Sequence, residues 1–162
     1  MKKSDKPLLV VVAGPTASGK TSLCIQLAHH FSTEIISADS RQIYKELCIG
    51  VARPAPEQLR EIRHHFVGTV SIHDYYNASM FETETLHLLS GLFETYPLVL
   101  MTGGSGLYID AVCKGIDDLP TVKEEIRKEL LEEYRKKGKE FLLEELRNVD
   151  PAYFSRADIH NP

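Results

Sequence analysis

The sequence predicts an α/β fold in which helices flank a parallel sheet, followed by a helical appendage. Three observations carry this. The apolar run Leu8-Leu9-Val10-Val11-Val12-Ala13 passes through a glycine-bounded loop into an amphipathic stretch, the pattern of strand, loop and helix. A second continuous run, Pro97-Leu98-Val99-Leu100-Met101-Thr102, has the composition of a parallel strand buried on both faces, and it too opens into glycines. Strand-like and helix-like segments alternate up to Gly115, after which only charged amphipathic sequence remains. The loop of the first unit, Gly14-Pro15-Thr16-Ala17-Ser18-Gly19-Lys20-Thr21, satisfies G-x-x-x-x-G-K-[ST], so the expected sheet is P-loop NTPase-like. Residues 1–115 are expected to form this core. Residues 116–162 read as the helical appendage, the start of an insertion domain in a chain that looks cut rather than finished.

Taken in order, the first helix is expected from Thr21 to Phe31, with Leu23, Leu27 and Ala28 at helical spacing and Ser32-Thr33 ending it. Glu34 to Ala38 reads as a second strand, with Asp39 just past its carboxyl end. Residues 39–56 carry Gly50, Pro54 and Pro56 and read as a loop with a short helical piece at Gln42 to Leu47. A short helix is expected from Pro56 to Arg63, since proline suits a first turn, then a weak strand over His65 to Val70. Ser79 is placed as the cap of a helix running to about Thr95, with Glu82 in the capping-box position and Met80, Phe81, Leu86, Leu89 and Phe93 as its apolar stripe. After the strand at Pro97 to Thr102 and the turn Gly103-Gly104-Ser105-Gly106, a helix is expected over Leu107 to Lys114. Residues 121–147 read as two charged helices broken at Gly138, one with Leu130, Leu131 and Tyr134 on a face, the other with Phe141, Leu142 and Leu146.

Bulk properties narrow the function classes. With 162 residues, 43% of them hydrophobic, the chain can bury one sizeable core. It offers no apolar stretch long enough to span a bilayer and no cleavage-site pattern at its N-terminus, so a cytoplasmic protein without a membrane partner, and a monomer, is expected. Cys24, Cys48 and Cys113 lack metal or disulfide spacing and read as reduced thiols packed as small apolar groups. A net charge of −4 sits awkwardly with a nucleic-acid partner, although cations gather at Arg60 and Arg63 beside His64-His65 and from Lys123 to Lys139.

The loop supplies the first chemistry. Its glycines let backbone N–H groups turn onto a phosphate while the following helix points its positive end at the same place. Lys20 would neutralise outer phosphate oxygens, and the Thr21 hydroxyl would ligate Mg²⁺. Such a loop alone leaves the reaction open. A hydrolase would show a metal-holding carboxylate at the end of its buried strand. Here that strand ends in Thr102-Gly103-Gly104, and the carboxylate stands one strand over at Asp39. Ligands of open α/β sheets collect beyond the carboxyl ends of the strands, so Asp39 should share a crevice with Lys20 and Thr21. There it could accept a proton from an incoming nucleophile, hold metal-bound water, or cap the helix that follows. Ser105, in the second glycine-rich turn, could meet a phosphate or a polar substrate atom.

The octet Gly14 to Thr21, the run Ser37-Ala38-Asp39-Ser40-Arg41-Gln42-Ile43-Tyr44, Ile49-Gly50-Val51-Ala52-Arg53-Pro54, His64-His65, Gly103-Gly104-Ser105-Gly106-Leu107-Tyr108-Ile109 and Asp158-Ile159-His160 occur in an order that resembles the tRNA dimethylallyltransferases. The match spans nearly the whole chain. The resemblance implies transfer of a dimethylallyl group from dimethylallyl diphosphate to the N6 amine of the adenosine beside the anticodon of tRNA. It implies diphosphate on Gly14, Pro15, Thr16, Ala17, Ser18, Gly19, Lys20 and Thr21, with Mg²⁺ at Thr21 and no call for ATP as donor. It makes Asp39 the general base and Ser105, where the family usually has threonine, the second catalytic residue. Asp39, Ser40, Arg41, Gln42, Ser105 and Arg127 become contacts to the anticodon stem-loop.

Two departures qualify the resemblance. Val51-Ala52-Arg53-Pro54 stands where family members usually read threonine-alanine-lysine-proline, and arginine does not interchange freely with lysine. The family's chain also continues past Pro162 with a basic, tRNA-binding stretch, so these residues alone are expected to keep the diphosphate pocket and to transfer slowly or not at all. The competing readings are a small-molecule or nucleotide kinase, an adenylate isopentenyltransferase and a nucleotide-sensing interaction domain.

Overall fold

A computed structural model describes residues 6–116 and 122–159. The chain divides into two compact units, Met1–Asp117 and Asp118–Pro162. In the first, the order is β1 (Leu8–Ala13), α1 (Lys20–Phe31), β2 (Ile35–Ser37), α2 (Pro56–Glu61), β3 (His64–His65), α3 (Ala78–Thr95), β4 (Leu98–Gly103) and α4 (Gly106–Lys114). The strands form one parallel sheet ordered β1-β4-β2-β3. β4 lies inside, with Leu8 to Ala13 in register with Leu98 to Gly103 on one side and Ile35 to Ser37 with Leu100 to Thr102 on the other.

Burial on both faces explains the unbroken apolar sequence of β4, where Val99, Leu100 and Met101 are fully buried. Successive strand residues point to opposite faces. Ile35 and Leu100 therefore meet Cys24, Ile25 and Ala28 of α1 on one face. Ile36, Val99 and Met101 meet Phe81 and Leu89 of α3 and Tyr108 and Ala111 of α4 on the other. Phe81 stacks on Tyr108 at 4.7 Å between ring centroids. At the carboxyl end of the sheet the backbones converge so closely that a Cβ on Gly103 would lie 2.0 Å from the Ala38 carbonyl oxygen.

The structure corrects several local expectations. Residues 42–47 hold no helix: 40–43 form a turn, and Tyr44 bridges to Val70. The strand expected over 65–70 shrinks to His64–His65, because Phe66 adopts φ 60 and turns the chain out of the ladder. α3 is capped by Asn77, extended at φ −141, whose side chain accepts from the Met80 amide at 2.9 Å. Ser79 lies inside the first turn, where its carbonyl accepts from Thr83, and Glu82 accepts from the Ile116 amide at 3.3 Å rather than closing a capping box. Cys24 is buried, but Cys48 and Cys113 are exposed.

The second unit contains α5 (Glu124–Lys137), α6 (Lys139–Val149) and α7 (Pro151–Phe154), all helical among the described residues. Gly138, at φ 80, separates α5 from α6 where the sequence placed the break. The short α7 was not foreseen. Asp150 caps it by accepting from the Tyr153 amide at 2.8 Å, with Pro151 in the first turn. Within α5, Lys136 and Lys137 pair with Glu133. Leu130 and Leu131, expected as a face of this unit, remain 45% and 46% exposed.

Candidate active site

The carboxyl ends of β1, β2 and β4 open onto one cavity of about 370 Å³. β1 delivers the phosphate loop. Ala17 and Gly19 hold left-handed φ of 65 and 84 within it, the alternation that turns consecutive amides toward a single point. Thr16 to Thr21 line the cavity, at the head of α1. The Lys20 ammonium folds back across the loop, donating to the Pro15 carbonyl and, at 3.4 Å, to the Ser18 hydroxyl. Beneath the loop, burial pushes the Cys24 thiol pKa up, against the opposing pull of the Thr102 hydrogen bond and the Lys20 charge. That thiol is a packing group.

β2 delivers Asp39. Its Oδ1 accepts from the amides of Arg41 at 3.0 Å and Gln42 at 3.2 Å, and its Oδ2 from the Gln42 side chain at 3.4 Å. Asp39 thus caps a turn rather than the helix that was one reading of it, and it lines the same cavity as Lys20 and Thr21. Gly103 and Gly104, from β4, line the cavity as well.

The other residues singled out by sequence distribute unevenly. Ser105 lies outside the cavity lining, and its hydroxyl accepts from the Ser40 amide at 2.8 Å and bonds the Ser40 hydroxyl at 3.0 Å. It pins the turn that carries Asp39 to the start of α4. Gln42 lines the cavity, but its amide faces inward, donating to the Ala52 carbonyl at 2.8 Å and accepting from the Ser37 hydroxyl at 3.1 Å. Arg41 is exposed. Arg127 is an exposed residue of α5, in the second unit.

The cavity also holds a cation and an imidazole to which the sequence assigned no role. Arg53 lines it as part of the departing tetrapeptide, and His64 lines it from β3. The His64 Nδ1 bonds the Ile62 carbonyl at 2.8 Å, which assigns the proton to that nitrogen. Desolvation holds its pKa below 6.5, with the Ile62 bond opposing and the His65 charge adding to the depression. Arg53 belongs to the 49–54 segment and His64 to the His64-His65 pair, and nothing in their spacing ties them to the phosphate loop. Among the described residues, no group of three or more His, Cys, Asp or Glu could hold a metal, and no helix is long and apolar enough to cross a membrane.

The family model described as IPP transferase matches residues 42–162. The chain belongs to the IPP transferase family. It is 51% identical over 154 residues to the tRNA dimethylallyltransferase 1 of Bacteroides fragilis, covering 95% of this chain and 51% of that protein. Among solved structures it resembles the tRNA isopentenylpyrophosphate transferase of Bacillus halodurans, at 29% identity and a TM-score of 0.67, over 96% of this chain and 52% of that one. It also resembles a eukaryotic dimethylallyltransferase acting on tRNA, at 26% identity and a TM-score of 0.75, over 96% of this chain and 39% of that one. The parallel sheet flanked by helices is thus the family's P-loop NTPase-like fold. The chain spans about half the length of the curated relatives it matches.

Proposed function

We propose that this chain carries the donor site and the base of a tRNA dimethylallyltransferase, which moves a dimethylallyl group from dimethylallyl diphosphate to the N6 amine of the adenosine adjacent to the anticodon. One observation carries the reading: a phosphate loop after β1 and a carboxylate after β2, on either side of β4 in the sheet, line one cavity together with Lys20. A kinase could use the same carboxylate on a hydroxyl acceptor, and it is the family relationship that favours the adenine amine, whose lone pair is delocalised into the ring and whose proton must leave as the C–N bond forms.

The N6 nitrogen attacks the allylic carbon bearing the diphosphate, the C–O bond breaks, and the N6 proton passes to Asp39. Charge building on the departing diphosphate is met by Lys20 and by the amides of Gly14 to Thr21. Lys20 is already within reach of the loop, so its ammonium exchanges the Pro15 carbonyl for phosphate oxygen when donor binds. The cavity offers the Thr21 hydroxyl, a hard-oxygen donor that would hold Mg²⁺. When bound, the ion supplies further neutralisation of the diphosphate. The adenine reaches the cavity by leaving its stack. Arg41, exposed on the turn beside Asp39, is the cation of the 39–42 strip that meets tRNA phosphate, and Arg127 contributes a second. Ser105 acts through Ser40 to hold the Asp39 turn.

Incubation with labelled dimethylallyl diphosphate and unmodified tRNA tests this, with enzyme in excess so that slow transfer is counted. Label on the N6 of the adenosine beside the anticodon is expected. Label transferred from ATP γ-phosphate to any acceptor, with no competition by dimethylallyl diphosphate, would instead make the chain a kinase.

A further inference from the structure

Arg53 lines the cavity without a carboxylate in ion-pair range among the described residues. Its guanidinium is spent on backbone: Nη2 donates to the Tyr44 carbonyl at 2.8 Å and approaches the Gln42 carbonyl at 3.4 Å, while Nη1 approaches the Cys48 sulfur at 3.9 Å. Nε is buried and has no hydrogen-bond partner. An arginine displayed to bind ligand would turn its donors to the cavity. This one turns them to the chain segment that follows Asp39.

Space for that guanidinium depends on Gly68. Its φ is +64, and a Cβ there would lie 2.4 Å from the Arg53 Nη2. The Gly68 amide in turn donates to the Gln42 carbonyl at 2.8 Å. Gln42 is the junction: its amide and side chain both reach the Asp39 carboxylate, and its Nε2 also donates to Ala52, the residue before Arg53.

We infer that Arg53 is a positioning residue whose guanidinium, seated beneath Gly68, locks the Gln42 and Tyr44 carbonyls and thereby holds the Asp39 carboxylate at the cavity wall. The inference rests on the proposed role of Asp39 as base. Both carbonyls bond the one Nη2, so a lysine ammonium, with three donors at a single point, can restore part of the lock, whereas alanine removes it. The bulk of Gly68 variants acts on the same lock.

Amide hydrogen exchange and transfer kinetics on Arg53→Lys and Arg53→Ala test the role. The Gln42 and Gly68 amides are expected to exchange about tenfold faster or more in Arg53→Ala and to keep most of their protection in Arg53→Lys, while amides of β1 and β4 keep theirs in both and report an intact fold. Single-turnover transfer should fall by about tenfold or more in Arg53→Ala and recover in Arg53→Lys, with dimethylallyl diphosphate affinity within about twofold of the parent in both. Gly68→Ala should give the same pattern as Arg53→Ala, with the strain of a side chain at φ +64 added to the loss of the guanidinium's space. Parental exchange at Gln42 and Gly68 in Arg53→Ala overturns the role and leaves the proposed function standing. Loss of donor affinity with the transfer step unchanged overturns it too, by putting Arg53 on the phosphate. Absence of transfer by the unsubstituted chain bears on the proposed function, and the exchange result then decides the role of Arg53 by itself.

Discussion

Lys20 and His64 face the same cavity and answer to different variables. In the proposed reaction Lys20 carries the charge that meets diphosphate, and hydrogen bonds to charged groups are worth about 1.5–3 kcal/mol each. Lys20→Met should therefore weaken dimethylallyl diphosphate binding by roughly 100-fold, read by calorimetry, without moving the thermal midpoint appreciably. His64 links stability to pH. The unfolded chain takes up a proton at this residue near 6.5, whereas desolvation in the folded chain delays that uptake to lower pH. The folded state then binds fewer protons than the unfolded one, so the contribution is present above 6.5 and is lost as pH falls below it. His64→Gln should flatten this part of the stability–pH curve, measured by urea titration at successive pH values.

At the scale of elements, the junction of β2 and β4 sets the site. Gly103 lets the two backbones close to a separation no side chain permits, so Gly103→Ala should cost about 3 kcal/mol or more in urea unfolding and displace Asp39 from the loop. Asn77→Ala, at the cap of α3, should cost only about 1 kcal/mol because the remaining turn is intact. These elements also show what a sequence discloses. β1, α1 and β4 were legible because each pairs a continuous apolar run or amphipathic period with a glycine-rich boundary, and those signals are local. The cap of α3 was not, since Asn77 and Ser79 are both good capping residues and only the extended backbone at Asn77 decides between them. The false helix at 42–47 failed for a tertiary reason: its carbonyls are claimed by Arg53 and by the amides of Gly68, Thr69 and Val70.

Across the whole molecule, the site was legible where strand ends define it. Asp39 and the loop share a cavity because parallel strands deliver their carboxyl ends to one side, a rule of topology that needs no coordinates. Side-chain direction was not legible. The resemblance made Gln42 and Ser105 substrate contacts, and it gave no sign of their partners within the protein: Asp39, Ser37 and Ala52 for Gln42, and Ser40 for Ser105. Arg53 is the converse, a cation noted only as a departure from the family pattern and found bonded to the Tyr44 carbonyl just past the Asp39 turn. The charged helices of the second unit were recognisable by their period and by the glycine between them, and Gly138 does part α5 from α6 at φ 80.

The central claim is that a carboxylate and a diphosphate cradle in one cavity divide the work of proton removal and leaving-group stabilisation. It is tested most directly by comparing Asp39→Asn with the unsubstituted chain in two measurements: calorimetric binding of dimethylallyl diphosphate, and single-turnover transfer to unmodified tRNA. Donor affinity should stay within about twofold while transfer falls by about 100-fold or more, the range lost with a general base. Transfer by Asp39→Asn at the parental rate, or loss of donor binding in step with transfer, would contradict it.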